Sequence, residues 1–197
     1  MYIIGITGGT GAGKSSAVKA LQTLGALVLD CDEIYHKLLS SNDTMRAEIE
    51  THFSDVLTDG KIDRHKLSKI VWNDPNALNE LNMITHKYVS SEIERLIDEF
   101  KVQGGEIAVI DAIALIESGQ GDKCDIVIAI TAPQDKRIER IMKRDSLTRE
   151  YASARINAQQ PEDFYRDNSN YLLENIYNTQ AEFEEKCKEF FNALLSK

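Results

Sequence analysis

A run of glycines near the start of the chain ends in a lysine and two serines. Residues 8–15 read GGTGAGKS and match in full the phosphate-binding pattern G-x-x-x-x-G-K-[S/T]. Glycines let the backbone wrap closely around an anion with its N–H groups pointing inward. In such loops the lysine reaches the β- and γ-phosphates and the serine hydroxyl binds Mg²⁺. The pattern predicts a nucleoside triphosphate site with Mg²⁺ at Ser15. The predicted nucleotide contacts in the loop are Gly8, Gly9, Thr10, Gly11, Ala12, Gly13, Lys14, Ser15 and Ser16.

Two carboxylates follow the next apolar run of the chain. Asp30 and Asp32 lie in the segment LDCDEI, directly after a predicted strand. Ligands of open parallel sheets gather at the carboxyl ends of strands, so one carboxylate could orient a substrate hydroxyl and the other a metal-bound water. The same positions suit a helix N-cap and an acidic first turn, and position alone leaves both interpretations open. The same two interpretations, ligand binding and helix capping, are open for Asp111 and Glu117.

Three arginines in the C-terminal third are spaced for one helix face. Arg137, Arg140 and Arg144 fall three and four residues apart. Guanidinium groups suit both the charge of a triphosphate and stacking on adenine. The alternative is a solvated face paired with Glu139 and Asp145, and this is the preferred interpretation for Arg137.

Apolar runs predict the elements that position these groups. Continuous apolar character without alternation favours strands that are covered on both faces, as in a parallel sheet. A helix is expected from Lys14 to Leu24 with Gly25 ending it, a second beginning near Pro133 and a third over about 179–195. The predicted strands are 2–7, 26–29, 106–111, 125–130 and 170–175.

Two intervals interrupt this alternation. Residues 31–105 show no convincing strand and repeat apolar residues at helical spacing, which predicts a mostly helical insertion. Residues 145–169 are polar and arginine-bearing, and we interpret them as a lid that shields the nucleotide from water. The predicted fold class is α/β: a P-loop NTPase-type core with a five-stranded parallel sheet flanked by helices, a helical insertion and a lid. The core comprises residues 1–30, 106–144 and 170–197.

Composition narrows the classes of function. The 197 residues carry a net charge of -9, opposite to the basic surface of a nucleic-acid binder. No apolar run approaches the roughly 20 residues of a membrane span, and no signal peptide is expected. The three cysteines are far apart in the chain, as is usual for proteins of the reducing cytosol. The four histidines are not spaced as metal ligands usually are. We expect a cytoplasmic protein with no nucleic-acid, membrane or obligate protein partner.

Phosphate-binding loops of this kind occur in motor ATPases, switch GTPases and kinases, and other sequence features distinguish these classes. The guanine signature N-K-x-D of switch GTPases does not occur, and large ATPases need a longer chain. A short chain with a helical insertion and an arginine-rich flap fits a small-molecule kinase. A nucleoside kinase or another small-molecule kinase, and a non-catalytic nucleotide-binding regulator, remain alternatives.

The chain resembles the dephospho-CoA kinase family over most of its length. GGTGAGKSS followed by LDCDEI is similar to that family's glycine-rich loop and D-A-D motif. DGKIDR (59–64) is similar to D-G-x-L-D-R, and ITH (84–86) to I-x-H-P. RIMKRD (140–145) is similar to R-L-x-x-R-D, and ARI (154–156) with Gln159 to A-R-I-x-x-Q. The ordered combination is far more specific than the loop alone.

This resemblance implies an activity and assigns roles to residues. The activity is ATP-dependent phosphorylation of the ribose 3′-hydroxyl of dephospho-CoA, the last step of coenzyme A synthesis, with residues 31–105 binding the acceptor. The implied catalytic residues are Asp32, which orients or deprotonates the acceptor hydroxyl, and Lys14 and Arg140, which stabilise the transferring phosphate. Arg144 and Asn175 are expected near the ATP. The residues expected to bind the acceptor are Asp32, Arg64, His86 and Arg155.

The chain departs from the family pattern at three places. The family's P-L-L-F-E is here ALIE (114–117), without the proline, and the proline after the histidine is Lys87. The N-x-G after the last strand is NIY (175–177), without the glycine. These changes bear on the acceptor pocket and the adenine-side loop. The residues for phosphate chemistry are intact, so an active member is expected.

Overall fold

The predicted alternation of strands and helices is present in the computed structural model, which describes residues 1–72 and 74–196. The five strands of the main sheet agree with their predicted bounds to within one residue at each end. The elements in chain order are β1 (Tyr2–Thr7), α1 (Lys14–Thr23), β2 (Leu27–Asp30), α2 (Cys31–Ser41), α3 (Asp43–His52), β3 (Leu57–Thr58), β4 (Lys61–Ile62), α4 (Arg64–Trp72), α5 (Pro75–Val102), β5 (Ile107–Asp111), a 3₁₀ turn (Gln120–Lys123), β6 (Ile126–Thr131), α6 (Gln134–Asp145), α7 (Arg149–Asn157), α8 (Glu162–Asp167), β7 (Tyr171–Glu174) and α9 (Gln180–Leu195).

The long strands form one sheet in the order β2-β5-β1-β6-β7. β1 runs parallel to β5 on one side and to β6 on the other, and β6 runs parallel to β7. Ile6 near the end of β1 pairs with Asp111 at the end of β5 and with Ile128 in β6. The carboxyl ends of the central strands therefore meet at one edge of the sheet. The predicted α/β class with a five-stranded parallel sheet is confirmed.

Both faces of the sheet are covered. On one face, Ile4 of β1, Leu21 of α1 and Phe183 of α9 belong to one core cluster and are almost completely buried. Removing this apolar surface from water is the main force that holds the two helices on the sheet. On the other face, a Cβ added at Gly5 would lie 2.6 Å from Leu115 Cδ2. The segment after β5 therefore packs closely on the central strand.

The chain divides into two compact units. The first comprises Met1–Leu29 with Phe100–Lys197 and contains the sheet core, and the second comprises Asp30–Glu99. Within the second unit, helices α2 to α5 occupy most of the residues. Its interior is apolar, with Met45, Ile49 and Ile93 fully buried. The function of this unit as the acceptor-binding domain stays a prediction.

A short hairpin in the second unit is an exception to the mostly helical structure expected for residues 31–105, in which the sequence showed no convincing strand. Leu57 and Thr58 of β3 pair antiparallel with Ile62 and Lys61 of β4. The two residues between these strands, Asp59 and Gly60, both have positive φ, at 52° and 72°. Two positive φ values identify a type I′ turn, for which Asp-Gly is a preferred sequence. The Asp-Gly signal was therefore present in the sequence, although each strand is too short to form an apolar run.

Helix α5 continues through the position where the family has a proline. Lys87 lies there, and its ammonium donates to Glu48 Oε1 at 2.5 Å. The hydroxyl of the adjacent Tyr88 donates to Glu48 Oε2 at 2.7 Å. Proline inside a helix removes one hydrogen bond and clashes with the preceding turn. With lysine at this position, α5 runs without interruption from Pro75 to Val102, and the Glu48 carboxylate holds it to α3.

The polar segment 145–169 contains two short helices, α7 and α8, which were not predicted. Ile138 and Ile141 of α6 pack with Ala152 and Ile156 of α7 in a small buried cluster. α7 therefore packs on α6, whereas α8 lies against β6 and β7 with Tyr165 buried. The function of the segment as a lid stays a prediction. Among the helices of residues 1–72 and 74–196, none combines the length and apolar character needed to cross a membrane.

Candidate active site

The phosphate-binding loop joins β1 to α1, and neighbouring protein groups leave no room for side chains at its glycines. Gly8 has φ +134°, and a Cβ there would lie 2.1 Å from the carbonyl oxygen of Ile130. Gly13 has φ +108°, and a Cβ there would lie 2.3 Å from Asn175 Nδ2. Other residues would be strained at such φ values. The protein around the loop therefore requires glycine at these positions, in addition to any requirement of a bound anion.

Beside this loop lies a cleft of about 660 Å³. Lys14, Arg140, Lys143 and Arg144 bring four cationic side chains to it, against one carboxylate, that of Asp111. Cationic side chains and a helix N-terminus together attract phosphate groups. The residues that line the cleft are Gly9, Thr10, Gly11, Gly13, Lys14, Ser15, Ser16, Asp111, Ile113, Arg140, Lys143, Arg144, Asn175, Asn178, Thr179 and Gln180.

Two of the predicted loop contacts do not line the cleft. These are Gly8, which is buried against β6, and Ala12, whose side chain is buried in the core. Gly13 is the N-cap of α1 and supplies no side-chain hydrogen bond to the first turn. The first-turn N–H groups of a helix have no intrahelical partner. The first helical residues of α1, Lys14, Ser15 and Ser16, line the cleft, which places the N-terminus of the helix at its wall.

Lys14 and Asp111 form the central ion pair of the cleft. The Lys14 ammonium lies 2.5 Å from Asp111 Oδ1, and both side chains are largely shielded from solvent. Asp111 ends β5, and Lys14 begins α1. In the sequence, Asp111 is only one more acid at the end of a predicted strand. Asp111 reaches the loop because β5 lies next to β1 in the sheet. The order of strands cannot be predicted from a single apolar run, so the sequence alone could not show this contact.

The cleft also offers ligands that suit magnesium. Ser15 is exposed in the first turn of α1, and its hydroxyl and the carboxylate of Asp111 both line the cleft. Mg²⁺ keeps several waters and is usually held by one or two protein oxygens together with substrate phosphates. A complete protein cage is absent, since no group of three or more His, Cys, Asp or Glu suited to a metal occurs within residues 1–72 and 74–196. The residues present therefore fit Mg²⁺ that arrives with a nucleotide.

Arg140 and Asn175 hold the loop through its carbonyl oxygens. Arg140 Nη1 donates to Gly11 O at 3.1 Å, and its Nη2 donates to Asn175 Oδ1 at 3.1 Å and Tyr177 O at 3.0 Å. Asn175 is buried, and its Nδ2 donates to Ala12 O at 2.9 Å. Burial lowers the pKa of the Arg140 guanidinium. These contacts brace the loop, and the predicted roles of Arg140 toward phosphate and of Asn175 toward adenine stay predictions.

The expectation that Arg137 lies on a solvated face is wrong. Its side chain is half-buried, and its Nε donates to Thr10 O at 2.9 Å. Its Nη2 donates to Gln159 Oε1 at 3.1 Å. Burial lowers the pKa of this guanidinium as well. Helical spacing placed three arginines on one face correctly, but it could not show that this face meets the phosphate-binding loop.

Arg144 and Arg155 share one carboxylate. Arg144 donates from Nε and Nη2 to the two oxygens of Asp145 at 2.7 and 2.9 Å, and Arg155 Nη1 lies 2.5 Å from Asp145 Oδ2. The hydrogen bond to Asp145 raises the pKa of Arg144 and, in return, lowers that of Asp145. The pairing joins α7 to the end of α6. Of the two arginines, Arg144 also lines the cleft.

Within the second unit, the capping interpretation of Asp30 is confirmed. Asp30 Oδ1 accepts from the backbone N–H of Asp32 at 2.9 Å and of Glu33 at 3.1 Å, so Asp30 is the N-cap of α2. Asp32 lies in the first turn with an exposed side chain. Arg64 Nη2 lies 3.1 Å from His36 Nε2. His86 is half-buried in α5.

The chain is similar to several known proteins over nearly its whole length. The family model described as dephospho-CoA kinase matches residues 2–181. A dephospho-CoA kinase of Thermobifida fusca is 34% identical over 196 residues, covering 98% of this chain and 96% of that protein. The solved structure of TT1252 from Thermus thermophilus is similar at 29% identity with a TM-score of 0.79, covering 99% of this chain and 96% of that one. A dephospho-CoA kinase from Campylobacter jejuni is similar at 26% identity with a TM-score of 0.71, covering 98% and 96%. The resemblance read from the sequence is confirmed, and the chain belongs to the dephospho-CoA kinase family.

Proposed function

We propose that this chain transfers the γ-phosphoryl group of ATP to the ribose 3′-hydroxyl of dephospho-CoA, giving CoA and ADP. This is the last step of coenzyme A biosynthesis. The observation that carries the proposal is the cleft in which Lys14, Ser15 and Asp111 meet at the phosphate-binding loop. Family membership supplies the identity of the acceptor.

Phosphoryl transfer needs positioning and charge neutralisation more than covalent chemistry. The loop N–H groups and the Lys14 ammonium bind the β- and γ-phosphates and stabilise the charge that develops on the transferring group. Ser15 and Asp111 would hold Mg²⁺, which when bound neutralises phosphate charge. Arg140, which lines the cleft and also donates to the Gly11 carbonyl, is the second proposed group that stabilises the transferring phosphate. Arg144 and Asn175 complete the proposed ATP contacts.

The acceptor hydroxyl must lose its proton as it attacks. We assign that proton to the carboxylate of Asp32, which is exposed and, within the described residues, makes no side-chain hydrogen bond or ion pair. A carboxylate that is free to accept a hydrogen bond suits the orientation of an alcohol. Arg64, His86 and Arg155 are the proposed contacts of the remainder of dephospho-CoA.

Burial lowers the pKa of His86. At neutral pH this side chain is therefore a neutral imidazole, and its proposed contact with the acceptor is a hydrogen bond and not an ion pair. Its neutrality separates its role from that of Arg64, which carries a permanent charge.

Residues 145–169 are proposed to close over ATP as a lid. The support is their polar composition and their attachment to α6, whose arginines line the cleft.

The proposed location is cytoplasmic. Burial raises the pKa of the Cys124 and Cys187 thiols to about 12 in each case, which suits reduced and unreactive cysteines.

An acceptor panel tests the function. Purified chain, ATP and Mg²⁺ are combined with dephospho-CoA, with a nucleoside set or with nucleoside monophosphates, and ADP formation is followed. We expect ADP to form rapidly only with dephospho-CoA, and the Lys14→Met variant to give the background rate. Faster turnover with a nucleoside or monophosphate would favour another small-molecule kinase. ATP binding without acceptor-dependent ADP formation would favour a nucleotide-binding regulator.

A further inference from the structure

The outer side of the phosphate-binding loop is held by a residue from the segment after α7. Gln159 Oε1 accepts two hydrogen bonds, from the backbone N–H of Thr10 at 2.8 Å and from Arg137 Nη2 at 3.1 Å. Arg137 Nε in turn donates to Thr10 O at 2.9 Å. Thr10, Arg137 and Gln159 therefore form a closed ring of hydrogen bonds, here called the loop clamp.

The loop clamp explains a glycine that phosphate binding alone does not. A Cβ added at Gly9 would lie 2.2 Å from Arg137 Nη2 and 3.0 Å from Gln159 Oε1. Gly9, unlike Gly8 and Gly13, does not have a positive φ. Glycine is therefore required at this position for steric reasons, because Arg137 and Gln159 of the clamp occupy the volume that a side chain would need.

The backbone N–H and the backbone carbonyl of Thr10 both form hydrogen bonds with side chains that lie far along the chain. The contact between Thr10 and Gln159 joins residues 149 positions apart, and all three bonds are partly shielded from solvent. One partner is a guanidinium, and hydrogen bonds to charged groups are about twice as strong as neutral ones. Loss of Gln159 would leave the Thr10 N–H and one Arg137 donor without this acceptor, which is more damaging than the loss of one exposed bond.

We infer that Gln159, held by Arg137, is a positioning residue that fixes the phosphate-binding loop and thereby sets its affinity for the polyphosphate of ATP. The inference rests on the proposed function for the nucleotide but not for the acceptor. The loop binds phosphate through N–H groups whose directions follow from its backbone. Small displacements of such groups are costly for both binding and catalysis.

The test compares two adjacent glutamines. Gln159→Leu removes the acceptor and keeps the approximate size, and Gln160→Leu is the matched control, because Gln160 is exposed and lies next in the chain. Titration with ATP should show about tenfold weaker binding for Gln159→Leu, as expected for the loss of two partly buried hydrogen bonds, and no change for Gln160→Leu. The KM for dephospho-CoA should stay within about twofold of the unmodified chain in both variants, since the clamp contains none of the proposed acceptor contacts.

A conservative variant separates positioning from general stability. Gln159→Glu keeps the acceptor oxygens and should restore ATP binding to within about threefold, because a carboxylate pairs readily with Arg137. Arg137→Met should weaken ATP binding on its own but add little in the Gln159→Leu background, since contacting residues are not additive.

Several results would overturn the inference. One is unchanged ATP affinity in Gln159→Leu. Another is a lower melting temperature without a change in ATP affinity, which would make the clamp merely structural. A third is an additive loss of ATP affinity in the double variant Arg137→Met/Gln159→Leu, which would show that the two residues act independently and not as one clamp. If the unmodified chain fails to phosphorylate dephospho-CoA, the proposed function fails, but the ATP titrations still decide the role of Gln159.

Discussion

The phosphate-binding loop and the first turn of α2 carry the two halves of the proposed chemistry, and they are built in different ways. The loop is braced by Arg137, Arg140 and Asn175, and the space beside its glycines is filled by backbone or side chains. The first turn of α2 is held by one local cap, in which Asp30 accepts two backbone hydrogen bonds.

The difference follows from the tasks. A polyphosphate needs many N–H groups aimed at once, and aiming them requires a rigid backbone that is ordered before the ligand arrives. An acceptor hydroxyl needs one carboxylate that is free to take a proton. We therefore expect substitutions around the loop to change stability and nucleotide affinity together, and substitutions at Asp32 to change turnover alone.

The largest expected effect tests this contrast directly. Asp32→Asn removes the proposed proton acceptor and should lower kcat about 10³-fold, while the Kd for ATP stays unchanged. Lys14→Met should also abolish most turnover, but with about tenfold weaker ATP binding, because a charge-assisted phosphate contact is lost. Steady-state kinetics and ATP titration distinguish the two. Near-normal turnover in Asp32→Asn would remove Asp32 from the mechanism.

The next effect concerns stability. Gly13→Ala should lower the free energy of unfolding by about 2 kcal/mol or more, because alanine is strained at positive φ and its Cβ would displace Asn175 from Ala12. Gly25→Ala is the matched control. Gly25 also has positive φ, at +86°, but no atom lies within 4 Å of an added Cβ. Urea unfolding measures both losses.

The difference between these two variants is the informative quantity. Gly25→Ala should show the backbone strain alone, about 1–2 kcal/mol, with normal ATP affinity. Gly13→Ala should show a larger loss together with weaker ATP binding. Equal losses, with ATP affinity intact in both, would mean that Asn175 does not brace the loop.

A smaller effect is expected at the cap of α2. Asp30→Ala should lower the free energy of unfolding by about 1 kcal/mol, the usual value for a lost N-cap. It should also lower turnover, because the capped turn fixes the backbone of Asp32. Asn42→Ala is the control, since Asn42 caps α3 in the same way, with Oδ1 accepting from Met45 N at 2.8 Å.

Thermal or urea unfolding and the rate of ADP formation should be measured on both cap variants. The pair is expected to be equally destabilised, with only Asp30→Ala slowed in turnover. If Asn42→Ala slows turnover to the same degree, the loss reflects general destabilisation of the second unit. The specific role of the Asp30 cap would then be rejected.

These contrasts also explain how far the sequence could predict the molecule. The strands and the loop were predictable because a continuous apolar run and an eight-residue pattern are local signals. The contacts of Arg137 and Asn175 were not, because they depend on the approach of residues more than 120 positions apart in the chain. Asp32 was ambiguous for another reason, since acids favour both strand ends that bind ligands and the first turns of helices.

The weakest expected effect is a pH dependence that arises from His86. Burial lowers the pKa of this imidazole, so between the folded and unfolded pKa values the unfolded state binds more protons. The contribution of His86 to stability is therefore full above about pH 6.5, the unfolded value, and is lost as the pH falls through the folded value. His86→Gln should flatten the fall in unfolding free energy over this range, which urea unfolding at a series of pH values measures. Parallel curves for His86→Gln and the unmodified chain would show that the imidazole titrates normally, and the proposed neutral hydrogen bond to the acceptor would lose its basis.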